Sequence, residues 1–199
     1  MPKILIGIPY HKRKRYSINQ LLDWIEQAEL LGAEVLMRFH TGIYGEKNAV
    51  KTQREFFRKH ALENGYDYLY FLGADTIPPL DILPRLLAHN KDVVGGIYYG
   101  RQCAENREPD TAVAWKHGES NKKEDLEKQK DLIEIDGMGM DCVLFSREAL
   151  EKVSWLSWEQ NDDDYPYYDK LKEQGFKIYL DTSIVCEHYP DPINKRINA

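Results

Sequence analysis

The stretch YLYFLGADTIPP, residues 68–79, runs from apolar and aromatic residues into Gly73, shows one carboxylate, Asp75, and then meets Pro78 and Pro79. A short apolar run bounded by turn residues predicts a strand buried on both faces, as parallel sheets require. Asp75 at its tip reads in two ways. Aspartate favours turns because its side chain bonds the backbone that follows. A carboxylate at the carboxyl end of a strand in an open α/β sheet also stands where such folds bind ligands, and divalent cations of the Mg²⁺ and Mn²⁺ type take oxygen ligands.

On the amino-terminal side, KILIGIP (3–9) predicts a buried first strand ended by Pro9. Ser17 and Gln20 have the spacing of a capping box. The helix behind them is expected to turn Ile18, Leu21, Leu22, Ile25 and Ala28 inward and to stop at Gly32. EVLMRF (34–39) is a second strand. Residues 47–65 are a second helix with Phe56, Phe57 and Ala61 inward and Gly65 as its stop. After the opening stretch, 79–90 predicts a short helix limited or kinked by Pro84, and DVVGGIYYG (92–100) a fourth strand. Strands alternating with helices predict an α/β fold with a helix-covered parallel sheet over 1–100.

The pattern changes after residue 100. Residues 117–131 are a charged run that reads as a solvated loop or exposed helix. LIEID and CVLFS read as strands around the glycine-rich GMGMD (137–141), SREALEKV (146–153) as a helix capped by its serine, 166–175 as a helix stopped by Gly175, and 176–181 as a strand. No linker divides the 199 residues, so a single domain is expected.

A net charge of −6 argues against general nucleic-acid binding, which needs basic surface, although HKRKR (11–15) is locally positive. Three dispersed cysteines give neither zinc spacing nor a disulfide framework, and a reducing compartment is the simplest reading. With no signal-like segment and no apolar run of ~20 residues, a cytoplasmic location is expected, with peripheral membrane contact left open.

Several residues carry chemistry or structure with comparable ease. Asp162, Asp163 and Asp164 precede a helix, where acids complement the dipole; crowded carboxylates also tune a general base. His188 follows a strand and is either structural or a metal ligand. Arg54 is either a surface charge or a phosphate clamp. Gly137 and Gly139 serve a turn or a close backbone approach. Trp155 and Trp158 pack in a core or stack on sugars.

Taken in order, IGIPY (6–10), QRE (53–55), GADTIPP (73–79), VVGGIYYGR (93–101), GMGMDCVLFSREAL (137–150), DDYPYYDKLKEQGFKIYLDTSI (163–184) and EH (187–188) resemble the GT-A fold nucleotide-diphospho-sugar transferases. The likeness is to glycosyltransferase family 2 and its small archaeal, bacterial and viral relatives, and it covers nearly the whole chain. It implies a single-domain, Rossmann-like mixed, mostly parallel sheet flanked by helices, with a nucleotide-binding half (1–100) and an acceptor or catalytic half (101–199). The implied activity is transfer of a sugar from a nucleotide-diphosphate sugar to a hydroxyl of a glycan, protein or lipid-linked acceptor, with Mn²⁺ or Mg²⁺ and with inversion.

The same resemblance implies roles. Asp75 matches the last acid of the DxD motif and, with His188, the metal site. Arg54 matches the donor-phosphate arginine, and Pro9 and Tyr10 the nucleotide loop. Asp164, with Asp163 as second choice, matches the base, and Gly137, Gly139 and Asp141 match the acceptor-side loop. The chain departs where Gly73 replaces the first acid of DxD. That departure motivates a second reading, a nucleotide-sugar binder without activity. A nucleotidyltransferase is disfavoured because PYHKRKR lacks a glycine-rich phosphate loop. A metal-dependent nuclease is disfavoured by the charge balance.

Overall fold

The computed structural model describes residues 2–11, 18–30, 32–40, 49–100, 111–116, 119–129, 131–158 and 164–189. Ser17, Cys103, Asp162, Asp163 and the basic residues 12–15 lie outside this set.

The first part of the chain follows the expected alternation: β1 (Ile4–His11), α1 (Ile18–Leu30), β2 (Glu34–His40), α2 (Ala49–Glu63), β3 (Tyr68–Leu72), the two-residue β4 (Thr76–Ile77), α3 (Ile82–Ala88) and β5 (Val93–Ile97). The rest is β6 (Thr111–Lys116), β7 (Glu119–Lys122), α4 (Lys123–Lys128), β8 (Leu132–Ile135), β9 (Gly137–Met138), β10 (Cys142–Ser146), α5 (Arg147–Lys152), α6 (Tyr165–Glu173), β11 (Ile178–Val185) and β12 (Glu187–His188). Seven strands form the central sheet in the order β2-β1-β3-β10-β5-β11-β8. Strands β2, β1, β3, β5 and β11 share one direction, and β10 and β8 oppose them. The sheet is therefore mixed and mostly parallel. A three-stranded sheet, β7-β6-β9, and the pair β12-β4 complete the strands.

Most boundaries have the physical cause read from the sequence. Gly32, Gly65 and Gly175 end α1, α2 and α6 with φ of 85°, 71° and 88°, a conformation that penalises side chains. The Ser146 side chain accepts from the Ala149 amide and caps α5. Pro84 sits in the first turn of α3, where its missing N–H costs nothing.

Four expectations need correction. Pro9 does not end β1, which runs to His11 alongside β2. β3 pairs with β1 only as far as Gly7, so Pro9 lies where one side of the strand is open and proline is tolerated. Leu22 is 50% exposed and Trp24 is buried in its place, because the inward stripe of α1 passes through Leu21, Trp24 and Ala28. Neighbouring helical residues point about 100° apart, so only one of Phe56 and Phe57 can face the sheet. Phe57 does, edge-on to Phe71, while Phe56 is exposed beneath the Arg38 guanidinium. The charged run 117–131 contains strand β7 as well as helix α4, and β6 has no counterpart in the sequence reading.

Two apolar layers sandwich the sheet. One holds Phe57, Phe71, Phe145, Trp155 and Tyr167; the other holds Ile6, Ile8, Trp24, Tyr70 and Leu144. Trp155 is fully buried and stacks on Tyr167 with ring centroids 3.7 Å apart. Its role is packing, worth about 0.5–1.5 kcal/mol beyond the buried area for such a pair. Among the described residues, no helix is long and apolar enough to cross a membrane.

Candidate active site

The site begins where β3 stops. The Thr76 amide donates to the Gly73 carbonyl at 3.1 Å, closing a tight turn through Ala74 and Asp75. Asp75 thus lies in the turn, and the turn stands at the carboxyl end of the parallel strands. The chain returns to this point at its other end. β12 pairs with β4, setting His188 against Thr76, and the Tyr189 amide donates to the Asp75 carbonyl at 2.8 Å. The His188 ring is thereby delivered to Asp75, with Nε2 3.6 Å from Oδ2. Its Nδ1 lies 2.7 Å from the Tyr99 carbonyl, which only accepts, so Nδ1 donates there and Nε2 is the ring nitrogen turned toward Asp75.

A third group completes the cluster. The antiparallel register of β3 and β10 sets Cys142 opposite Leu72, which brings Asp141 beside Gly73. The Gly73 amide donates to the Asp141 carbonyl at 3.0 Å. Ligand atoms of Asp75, Asp141 and His188 all lie within 4.8 Å of one another. Asp75 is fully buried. Gly73 makes this possible: a Cβ there would stand 2.5 Å from the Asp141 Cγ and 2.8 Å from its Oδ1. The space that a side chain at position 73 would enter is taken by the Asp141 carboxylate.

Around the cluster lie residues on which sequence reasoning was silent or incomplete. Tyr98 packs edge-on against His188, with centroids 5.2 Å apart. Burial pushes its phenol well above the ordinary value; the charges of Asp141 and Asp164 add to this and Arg54 opposes it. Tyr98 thus lies within electrostatic reach of both Asp141 and Asp164. Gly139 and Gly137 owe their identity to packing. A Cβ on Gly139 would stand 2.7 Å from the Tyr98 Cζ, and one on Gly137 2.7 Å from the Trp115 Cε2.

Arg54 is buried and its Nη1 donates to the Asp164 Oδ1 at 2.6 Å. It belongs to a polar stripe on α2 at helical spacing. Lys51 donates to the Trp158 carbonyl and lies over that ring. Glu55 accepts from the Ser154 hydroxyl and the Trp155 amide, each at 3.0 Å, and pairs with Arg58. Arg58 donates to the Leu150 carbonyl. The stripe clasps the segment after α5 and reaches the start of α6. Tyr10 is nearly buried, edge-on to Phe39 at 4.9 Å, and with Pro9 lies at the carboxyl end of β1, the same end of the sheet as Asp75.

No protein-family model and no curated protein matches the sequence. Solved structures do. A197 from STIV superposes with a TM-score of 0.67 at 20% identity, covering 95% of this chain and 86% of that one. GalNAc-T7, solved with UDP, GalNAc and Mn²⁺, superposes with a TM-score of 0.58 at 11% identity. That match covers 96% of this chain and 45% of the GalNAc-T7 chain, so the present chain spans less than half of that protein. These likenesses show the GT-A fold of glycosyltransferases.

Proposed function

We propose that the protein is a divalent-metal-dependent glycosyltransferase that moves a sugar from a nucleoside-diphosphate sugar to an acceptor hydroxyl with inversion. The observation that carries this reading is the Asp75–Asp141–His188 cluster at the carboxyl end of the parallel strands. The residues fit a cation. Two carboxylates and an imidazole nitrogen form a mixed oxygen–nitrogen donor set that suits Mn²⁺ better than Mg²⁺. The missing Cβ of Gly73 leaves room for the second carboxylate.

Asp75, Asp141 and His188 would hold the cation, which would supply positive charge opposite the departing diphosphate. The chain's own residues do the rest. Asp164 takes the proton from the acceptor hydroxyl as the oxygen attacks the anomeric carbon. The bond from that carbon to the diphosphate breaks, its electron pair leaves with the diphosphate, and direct displacement inverts the carbon. Arg54 holds the Asp164 Oδ1, so the orientation of the base is fixed before the acceptor arrives. Asp163 is the alternative base. Pro9 and Tyr10 border the nucleotide, and the acceptor is a glycan, a protein or a lipid-linked sugar.

The Arg54–Asp164 contact also favours a second reading, a nucleotide-sugar binder with weak turnover, because the guanidinium already occupies a carboxylate oxygen that would take the proton. One experiment separates the two. UDP-, GDP- and dTDP-sugars are tested by thermal shift and for hydrolysis, with and without Mn²⁺, on the native chain and on Asp75→Asn. Metal-dependent stabilisation with release of the sugar, lost in the variant, is the expected result. Stabilisation without turnover on any acceptor favours the binder. No stabilisation by any nucleotide in a folded, metal-supplied protein overturns both.

A further inference from the structure

We propose that Cys142 and Cys186 form a disulfide that crosses over β5 and fastens together the two segments bearing Asp141 and His188. The two sulfurs lie 2.9 Å apart, both buried. A bond of about 2.05 Å needs only about 0.9 Å of further approach. The separation is shorter than two packed sulfurs ordinarily keep, and a weak S–H···S hydrogen bond is the non-covalent alternative to a disulfide.

The surroundings hold the pair in place. Cys142 lies in β10, on one side of β5; Cys186 follows β11, on the other. Strands on either side of a third do not ordinarily bring side chains together, because the middle strand's own side chain intervenes. Here the intervening residue is Gly96, where a Cβ would stand 3.0 Å from the Cys142 Sγ and 2.6 Å from the Ile184 Cγ2. The glycine opens the lane in which the sulfurs meet. The Cys186 amide donates to the Ile97 carbonyl at 2.7 Å, and the Tyr70 hydroxyl donates to the Cys142 Sγ at 3.4 Å. The first bond fixes the Cys186 backbone beside β5, and the second holds the Cys142 sulfur in place.

The chemistry balances with a hydroperoxide or a small-molecule disulfide as oxidant. With hydrogen peroxide, one thiolate sulfur takes an OH group and water leaves. The second sulfur then displaces the resulting sulfenic oxygen, and a second water leaves; two electrons pass from the sulfurs to the peroxide. With a small-molecule disulfide, one cysteine forms a mixed disulfide, the other displaces the bound half, and two equivalents of small thiol are released. The bond closes next to Asp141 and two residues before His188, so it braces the cluster without contributing a ligand. The inference depends on neither metal nor transferase activity.

The test is peptide mapping of the full chain. One sample is treated with hydrogen peroxide in the native state and another is refolded with oxidised glutathione. Both are denatured, alkylated without reductant and digested. The expected result is one linked peptide pair joining Cys142 to Cys186, with Cys103 alone alkylated, and a mass gain of two further labels after reduction. The reductant is also expected to lower the melting temperature by on the order of 10 °C in the native sequence and to leave Cys186→Ala unchanged. Alkylation of all three thiols in both samples, a link through Cys103, or an equal reductant effect in Cys186→Ala overturns the proposal.

Discussion

Gly73 and Asp141 compete for one volume: a side chain at position 73 would begin 2.5 Å from the Asp141 Cγ. Glycine at position 73 leaves space for the Asp141 carboxylate, carried by the residue just before β10, in the cluster with Asp75 and His188. Gly73→Ala is expected to displace Asp141 and to destabilise the fold by about 1–3 kcal/mol, as overpacking does. Gly73→Asp alone is expected to be worse, since two carboxylates then crowd Asp75. The exchange Gly73→Asp with Asp141→Gly is expected to recover Mn²⁺-dependent thermal stabilisation lost in either single variant. Melting curves of the three variants with and without Mn²⁺ decide this, and a double variant no better than the singles would sink it.

The cluster has two carboxylates of unequal exposure, and both are expected to matter to metal affinity. Asp75→Asn and Asp141→Asn are each expected to weaken Mn²⁺ binding by at least 10- to 100-fold, the range found even for less direct partners of a metal. His188→Gln is expected to act in the same direction, because the Tyr99 carbonyl aims the imidazole and cannot aim an amide in the same way. Calorimetric titration of Mn²⁺ into each folded variant is the measurement. Unchanged affinity in Asp141→Asn would remove Asp141 from the cation site.

Much of this arrangement is legible in one dimension. Apolar runs mark β1, β3 and β5, glycine stops mark α1, α2 and α6, and Asp75 and His188 are visible from their place after strands. Asp141 is not legible as the partner of Asp75, because that depends on the β3–β10 register, which pairs residues 68–72 with 142–146 across a long stretch of chain. The polar stripe of α2 was half legible. Lys51, Arg54, Glu55 and Arg58 have the i, i+3, i+4, i+7 spacing of a single face. Charged residues at that spacing ordinarily face water, and only the tertiary structure reveals that this face is covered. Leu22 reads as inward and Trp24 goes unmarked because hydrophobicity alone does not locate the centre of a helical stripe.

Glu55 provides a check on that covered face. It accepts from the Ser154 hydroxyl and the Trp155 amide and pairs with Arg58. Glu55→Ala leaves a buried amide without its acceptor, a cost of about 1–3 kcal/mol. The segment after α5 is expected to loosen, with Trp155 fluorescence moving to longer wavelength as water reaches it. Glu55→Gln keeps an acceptor oxygen and is expected to retain more of the stability. Urea unfolding followed by tryptophan emission compares the two, and equal loss in both would mean that the negative charge matters more than the amide contact.

Acid sensitivity has a defined source at the far side of the sheet. Burial by itself would raise the Asp181 carboxyl, but hydrogen bonds from Ser183 and His89 outweigh it and hold the group below its ordinary value of 3.8. A carboxylate with a folded-state pKa below its unfolded one contributes stability at neutral pH. That contribution is present above 3.8 and is lost as the pH falls through the lower, folded-state value. Asp181→Asn is therefore expected to be less stable than the native chain at about pH 7, and the difference is expected to shrink toward about pH 3. Chemical denaturation across this range is the test, and a constant difference would remove Asp181 from the acid response.

The Arg54–Asp164 pair connects the polar stripe of α2 to the proposed base, and its two members are expected to fail differently. Asp164→Asn removes the proton acceptor, so transfer is expected to fall by ~10²–10⁴-fold. KM for the donor is expected to stay close to native, since the donor contacts proposed for Asp75 and His188 remain. Arg54→Lys keeps a cation but loses the planar fork that fixes the Asp164 Oδ1 at 2.6 Å. Its expected effect is a smaller drop in kcat, because the carboxylate is still there but less well aimed. Two readouts separate aiming from mere structure: Arg54→Lys is expected to lower kcat while the donor KM and the melting temperature stay near native. A drop in kcat matched by a lower melting temperature would make Arg54 structural, and an active Asp164→Asn would transfer the base assignment to Asp163.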